Sequence, residues 1–181
     1  MIPLKEAVAT KHQEAEQHVV NRHLMSGHVM EHEYHTYLWQ QFLVFDAIER
    51  VPLPHASLNR LPAILLDMRE LPTHVRRTSG ELDVPIMTNH AIEYNEYLST
   101  LTQEELLPHI YLNYLALIFG GQMMKDKVPG SGKMYEFDNM KDIIMSIRSI
   151  QQDEWADEVN KGFTYIIGIF NELQTIFGLL S

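Results

Sequence analysis

The stretch His-Ile-Tyr-Leu-Asn-Tyr-Leu-Ala-Leu-Ile-Phe-Gly-Gly-Gln, residues 109–122, joins a long apolar run to a pair of adjacent glycines. Apolar and aromatic residues continue at helical spacing from residue 110 to residue 124. A glycine inside a helix costs about 1 kcal/mol relative to alanine, so the pair Gly120-Gly121 needs a compensating role. The missing Cβ atoms allow a backbone to approach a flat ligand or permit a kink, and a close helix–helix crossing is the alternative explanation.

Helical patterns on both sides of this stretch predict an all-α protein, and no convincing strand pattern accompanies them. The predicted helices cover residues 2–24, 31–50, 56–70, 86–100, 110–124, 139–150 and 153–180. Turn signals at Pro72 and at Ser79-Gly80 separate the two short central segments. Between Val128 and Lys133, a segment rich in Gly, Pro and Ser predicts a connecting loop, because the spacing of a phosphate-binding loop is absent.

A second start signal precedes the glycine-containing helix. Thr102 and Glu105 have the spacing of a capping box, and Pro108 predicts a restart or kink just before the apolar run. We therefore expect an irregular entry into this helix.

Composition bounds the function. A length of 181 residues predicts one domain spanning residues 1–181. The net charge of −10 gives no electrostatic reason to bind nucleic acid or an anionic membrane. The absence of cysteine excludes disulfides, thiolate catalysis and haem (heme) held by thiolate. No apolar run approaches the roughly 20 residues of a membrane span, which makes a cytoplasmic protein the expectation.

His12 lies on the apolar stripe of the first predicted helix, which is formed by Leu4, Val8, Ala15 and Val19. Its imidazole is therefore expected to face the packed side of the helix. A hydrogen-bonded core histidine is the alternative to a metal ligand at this position.

Two neighbours of His12 favour the ligand interpretation. Glu16 follows one turn later and can orient an imidazole, although a surface pair is the plainer explanation. Lys5 precedes His12 on nearly the same face, about 10 Å away along the helix axis, which suits a cation at the edge of a macrocycle.

The remaining histidines do not form a zinc-protease pattern. The segment 28–35, with His28, His32 and His35, resembles one half of a dinuclear metal site, but a matching Glu-x-x-His is missing. We expect this segment to be a solvated helix face.

Two motifs resemble the haem oxygenase family. Residues 4–16, Leu-Lys-Glu-Ala-Val-Ala-Thr-Lys-His-Gln-Glu-Ala-Glu, resemble its proximal helix, and residues 109–122 resemble its distal helix, where Tyr-x-x-Tyr-Leu precedes Gly-Gly-Gln. Phe137-Asp-Asn139 with Arg148-Ser149, and Phe163 with residues 170–174, resemble later segments of the family. The likeness spans nearly the whole chain except residues 51–100.

The resemblance implies a haem oxygenase-like helical bundle, with haem between a proximal N-terminal helix and a kinked Gly-Gly distal helix. It implies His12 as the axial ligand of the iron and haem b as both substrate and cofactor. The other implied haem contacts are Lys5, Glu16, Tyr111, Gly120, Gly121, Arg148 and Phe163, of which Gly120 and Gly121 crowd the distal side and direct the cleavage.

The implied activity is oxidative opening of haem at a meso carbon, which yields biliverdin, carbon monoxide and ferrous iron. It uses O2 and electrons from a partner such as a ferredoxin or a flavoprotein reductase. Three other readings stay open: a haem carrier or sensor, a non-haem di-iron oxidase, and a helical interaction domain.

One departure from the family pattern concerns the distal helix. The family motif has Gly-Asp where this chain has Ala116 and Leu117. That Asp orders the water that supplies a proton, so either another polar group such as Asn113 or Tyr114 takes its place, or turnover is impaired.

Overall fold

The computed structural model describes residues 1–71 and 86–180, and the regular elements there are helical. The α-helices are α1 Leu4–Ala7, α2 Ala9–Glu16, α3 Val19–Met25, α4 Glu31–Ile48, α5 Leu61–Glu70, α6 Asn89–Thr100, α7 Leu107–Phe119, α8 Gly121–Met124, α9 Met140–Arg148 and α10 Ala156–Ile176. Short 3-10 turns cover Ala56–Leu58, Lys133–Tyr135 and Asp153–Trp155. The prediction of an all-α fold is confirmed.

The N-terminal segment is three helices, and the prediction of one helix over residues 2–24 is wrong. The first break is at Val8, whose dihedral angles of φ −104° and ψ 0° depart from those of a regular helix but stay in the right-handed helical region. The second is at His18, where the backbone is extended and the imidazole Nδ1 accepts a hydrogen bond from the Val20 amide at 3.1 Å. This side-chain cap satisfies an amide at the start of α3 and so stabilises a new helix start inside the apolar pattern.

The central helices are shorter than predicted. Helix α4 ends two residues before the predicted end at residue 50, and α6 begins at Asn89 because the Thr88 hydroxyl caps it, accepting from the Ala91 amide at 3.1 Å. The segment 56–70 divides into a 3-10 turn and α5. The turn signals at Pro72 and Ser79-Gly80 lie outside the described residues.

The entry to α7 has the irregularity that the sequence predicts. Thr102 and Glu105 form the reciprocal bonds of a capping box, with the Thr102 amide donating to the Glu105 carboxylate at 2.8 Å and the Glu105 amide donating back to the hydroxyl at 3.3 Å. The box closes a turn, and α7 itself begins at Leu107 with Pro108 in its first turn.

The last helices are also shorter than the patterns suggested. The predicted helix over 139–150 is α9, from Met140 to Arg148, and the predicted helix over 153–180 is a 3-10 turn followed by α10. Between α8 and α9, the segment 128–133 is a loop, as predicted, up to the start of a 3-10 turn.

Helix α10 is the common support of the fold, since α2, α3, α6 and α7 all pack against it. The larger hydrophobic cluster lies around α4, α6 and α7 and includes the fully buried Tyr34, Phe45 and Tyr114. A smaller cluster joins α1 and α2 to α10 and to Leu112 of α7. The proximal and distal candidate helices are therefore held on one shared helix.

None of the described helices is long and apolar enough to cross a membrane.

Candidate functional site

His12 is exposed, so the prediction that its imidazole faces the packed side is wrong. Leu4, Val8 and Ala15 of the same stripe are buried, which means that the stripe is correct and that α10 leaves it uncovered at His12. The imidazole lies beside Phe163 of α10, with 5.9 Å between the ring centroids and a tilt of 45°. An accessible imidazole against a buried aromatic ring is suited to bind a ligand with a flat apolar face.

Glu16 and Lys5 are both exposed and lie on opposite sides of His12 along the chain. Within residues 1–71 and 86–180, no hydrogen bond joins the Glu16 carboxylate to the His12 imidazole, so its orienting role stays a prediction. Next to Lys5, the backbone amide of Leu4 donates to the Asp153 carboxylate at 2.8 Å. This bond ties the lysine-bearing helix to the turn Asp153–Trp155.

Tyr111 lies against the same turn, and Arg148 lies near Tyr111. The Tyr111 ring meets the Trp155 ring edge-on, with 6.3 Å between centroids. Burial raises the pKa of the Tyr111 hydroxyl, and the nearby positive charge of Arg148 opposes that rise. The structure thus places Tyr111 between Trp155 and the positive charge of Arg148, and the helix that carries Lys5 is bound to the same turn.

The two adjacent glycines have different surroundings. A Cβ on Gly121 would lie 2.3 Å from Cδ1 of Tyr135, so this glycine is required by the packing of a buried ring. A Cβ on Gly120 would meet only the carbonyl oxygen of Ala116, at 3.0 Å. The break between α7 and α8 falls at Gly120, whose dihedral angles stay helical, and the kink of the distal helix stays a prediction. Close packing explains Gly121, although the contact is with the 3-10 turn that carries Tyr135 and is not the predicted helix–helix crossing, and Gly120 is the glycine with an open side.

Three exposed apolar side chains that sequence reasoning missed lie on the same part of the fold. Phe119, Met123 and Met145 are 51%, 58% and 59% exposed. The Arg148 guanidinium lies over the Phe119 ring at 5.5 Å, which joins the end of α9 to the end of α7. Exposed apolar surface beside a cation suits an amphipathic ligand with anionic groups. For Phe119 and Met123 the signal in the sequence is that residues 110–124 are mostly apolar, and Met145 has no such signal.

The position of the missing distal carboxylate is apolar and closed. Leu117 is 6% exposed and belongs to the larger hydrophobic cluster. Two residues were proposed to substitute for the carboxylate. The hydroxyl of one, Tyr114, donates a hydrogen bond to Glu49 of the segment after α4 at 2.8 Å and is therefore already engaged. Asn113 uses its amide nitrogen on the Tyr94 hydroxyl and on a carbonyl of its own helix. The amide oxygen of Asn113 is the group left to accept.

The segment 28–35 is only partly the solvated face that we expected. His28 and His32 are exposed, but Glu33 is buried, accepting from the Met30 amide at 2.9 Å and contacting His23 at 2.8 Å. This glutamate caps α4 and holds α3 against it. Across residues 1–71 and 86–180, no group of three or more His, Asp and Glu side chains is arranged to hold a metal ion.

The fold is similar to those of solved haem oxygenases. It matches "heme oxygenase-1" of the cyanobacterium Synechocystis, solved with heme, with a TM-score of 0.75 and 21% identity over 97% of this chain and 94% of that chain. The heme oxygenase of Leptospira interrogans gives a TM-score of 0.72 and 21% identity over 93% and 97% of the two chains. "Heme oxygenase-2" of Synechocystis, solved with heme and NO, gives 0.74 and 20% over 96% and 84%. At these identities the likeness shows the fold.

The family is shown by the sequence itself. Residues 2–161 match the family described as Heme oxygenase. No curated protein matches the sequence. The chain belongs to the haem oxygenase family, as the two sequence motifs predicted.

Proposed function

We propose that this protein is a haem oxygenase that uses His12 as the axial ligand of the haem iron and opens the ring to biliverdin, carbon monoxide and ferrous iron. The observation that carries the proposal is the exposed imidazole of His12 beside Phe163, on a helix that belongs to the family-matched region. When bound, haem b supplies the iron that activates O2 and the meso carbon that is oxidised.

The side chains available suit haem. A neutral imidazole is a common protein ligand of haem iron, and His12 forms no hydrogen bond to another described residue that would occupy its ring nitrogens. Exposed Phe119, Met123 and Met145 offer apolar surface for a macrocycle. Arg148 beside Phe119 supplies a cation for a carboxylate. A single nitrogen ligand, apolar walls and cations at one border match the chemistry of haem with its two propionates.

Each of these residues has a separate task in the proposal. His12 binds the iron, and the Glu16 carboxylate accepts a hydrogen bond from the N–H of the other ring nitrogen, which fixes the orientation of the imidazole. Lys5, Tyr111 and Arg148 bind the propionates and so limit rotation of the ring in its plane.

The distal side shapes the space above the ring. Gly120 leaves room there because it lacks a Cβ, and Gly121 keeps the helix in place by its contact with Tyr135. Phe119 and Met123 exclude water from the apolar edge of the ring, which limits the directions from which O2 and solvent reach it. Electrons come from a separate donor protein, a ferredoxin or a flavoprotein reductase.

A haem carrier or sensor is the second candidate, and the closed apolar position of Leu117 favours it. Such a protein needs the His12 contact and the apolar walls but no ordered water near the iron. It would bind haem and release it unchanged.

The test begins with haem titration of the wild type, of His12→Ala and of His32→Ala. His32 is an exposed histidine on α4, so its replacement controls for the loss of a surface imidazole. We expect a saturating Soret band at one haem per chain for the wild type and His32→Ala. For His12→Ala we expect a shifted band and an affinity at least about tenfold lower, the loss of one metal–ligand contact. Equal spectra for all three proteins would contradict the assignment of His12.

A further inference from the structure

A chain of polar groups runs between α6, α7 and α10, and of its members the sequence singled out only Asn113. Its centre is His109, which is fully buried and to which the sequence analysis assigned no role. Its Nδ1 lies 2.8 Å from the Tyr94 hydroxyl and its Nε2 lies 3.0 Å from the Glu158 carboxylate. At the inner end, the amide nitrogen of Asn113 lies 3.1 Å from the Tyr94 oxygen.

The donors and acceptors in this chain have one consistent direction. When ionised, the Glu158 carboxylate can only accept hydrogen bonds. Burial raises the pKa of Glu158, but the hydrogen bonds from Tyr97 and His109 lower it by more than burial raises it, so the pKa lies below its usual value. His109 therefore carries its proton on Nε2. Because burial lowers the pKa of His109, the ring is neutral and its Nδ1 accepts from the Tyr94 hydroxyl.

The inner end of the chain fixes the orientation of the Asn113 amide. Its nitrogen donates both to the Tyr94 oxygen and to the backbone carbonyl of His109, at 2.9 Å. The flipped orientation would put the amide oxygen against that carbonyl, and two acceptors at this distance repel each other. The amide oxygen of Asn113 consequently points away from Tyr94, and no described residue donates to it.

Asn113 lies on the side of α7 that carries the open glycine. Asn113, Ala116 and Gly120 stand at helical positions i, i+3 and i+7, which share one face. Leu117, at i+4 on this face, is buried, whereas Ala116 is exposed and Gly120 is half-exposed, so the face opens to the surface beside Leu117. The hydroxyl of Tyr114, by contrast, is bound to Glu49.

We propose that the side-chain oxygen of Asn113, oriented by Glu158, His109 and Tyr94, accepts the hydrogen bond of a water molecule on the distal side of bound haem. It takes the place of the distal carboxylate that Leu117 removes. His109 and Tyr94 are positioning residues, because they act on this water only through Asn113. The inference rests on the proposed function, since it concerns the side of the haem opposite His12.

The first test is made on the haem-free protein. Nitrogen-15 NMR of the imidazoles is expected to show His109 protonated on Nε2 and unprotonated on Nδ1 at neutral pH. In Tyr94→Phe, the side-chain NH2 signals of Asn113 are expected to move, because one of its two acceptors is gone. A proton on Nδ1 of His109 would overturn the orientation on which the inference depends.

The second test is the pH midpoint of the acid–alkaline transition of the ferric haem complex, followed in the Soret band. An acceptor near the iron stabilises water there more than hydroxide, because water is the stronger donor. Asn113→Leu is therefore expected to lower the midpoint by about 0.5–1 pH unit, the shift that one hydrogen bond of ordinary strength gives. Asn113→Asp keeps an acceptor and adds negative charge, so it is expected to raise the midpoint.

Matched variants separate positioning from general damage. Tyr94→Phe is expected to lower the midpoint, and by less than Asn113→Leu. The control is Tyr114→Phe, which removes a buried hydroxyl from the same helix without touching Asn113, and it is expected to leave the midpoint unchanged. All variants are compared at saturating haem.

The outcomes distinguish the two proposals. An unchanged midpoint in Asn113→Leu, with haem bound as in the wild type, overturns the role of Asn113 and leaves the proposed function intact. A shift of the same size in Tyr114→Phe also overturns it. Failure of the wild type to bind haem overturns both, and that result is already visible in the titration.

Discussion

The contrast between Gly120 and Gly121 leads to opposite predictions for the same substitution at adjacent positions. In Gly121→Ala the new Cβ would lie 2.3, 3.0 and 3.2 Å from three ring atoms of Tyr135. The ring has to move by about 1 Å to reach an ordinary contact distance, and Tyr135 is only 1% exposed. Overpacking of this kind costs about 1–3 kcal/mol.

In Gly120→Ala the same methyl group faces only the Ala116 carbonyl oxygen, at 3.0 Å. Gly120 has helical dihedral angles, φ −72° and ψ −37°, at which alanine is favoured by up to about 1 kcal/mol. Close contact with the carbonyl reduces this gain, so we expect a change between zero and about 1 kcal/mol of stabilisation. The two variants should therefore differ in free energy of unfolding by about 1–4 kcal/mol.

The assay is urea unfolding of the haem-free proteins, with equal m-values required before the free energies are compared. The double variant Gly121→Ala with Tyr135→Leu should lose less stability than the two single variants together, because the clash and the ring disappear in the same protein. Equal stability of Gly120→Ala and Gly121→Ala, or strict additivity with Tyr135→Leu, would refute the packing explanation of Gly121.

Three further predictions concern the buried polar groups and the missing carboxylate. Glu49→Leu leaves the Arg60 and Leu61 amides and the Tyr114 hydroxyl without their acceptor, so the free energy of unfolding should fall by at least about 1–3 kcal/mol. The control is Glu14→Leu at an exposed position, which should change the free energy of unfolding little. Leu117→Asp places a carboxylate in the larger hydrophobic cluster and should destabilise the haem-free protein by about 2 kcal/mol or more, as measured by thermal unfolding. If Leu117→Asp were as stable as Leu117→Asn at neutral pH, the carboxylate would have to reach solvent. Burial lowers the pKa of His109 from its ordinary 6.5, and the ring is surrounded by Glu158 and Lys161 of α10 and by Tyr94 and Tyr97 of α6. The unfolded chain therefore binds the proton more readily, and the free energy of unfolding should decline as the pH falls below about 6.5. His109→Gln should flatten this decline between pH 7.5 and 5.5, and an unchanged slope would count against a buried neutral imidazole.

Much of the fold follows from local patterns. The apolar periodicity predicted α4, α6, α7 and α10 to within a few residues, because burial against neighbouring helices reinforces the local preference. The break at His18 was not predictable from periodicity, since it depends on the imidazole capping the Val20 amide. Helix starts set by such side-chain bonds compete with a continuing apolar pattern, and periodicity alone does not decide which one prevails.

The residues of the candidate site were also only partly predictable from the sequence. His12, Tyr111 and the glycine pair were visible in short motifs, whereas the exposure of Phe119 and Met145 depends on how α7 and α9 meet. The contact of His109 with Glu158 joins residues that are 49 positions apart, and only the packing of α7 on α10 brings them together. An indication was present, because His109 and Asn113 are polar residues one turn apart in an otherwise apolar helix.

The most direct test of the central claim is a single turnover of the haem complex, with a chemical reductant under O2 and with catalase present to remove free peroxide. The proposed function predicts that the Soret band of the wild type decays to a bilin spectrum and that about one carbon monoxide is released per haem, as the stoichiometry of ring opening requires. In His12→Ala, at equal haem saturation, the decay should be abolished or strongly slowed. Haem that stays intact in the wild type would contradict the oxygenase and favour the carrier.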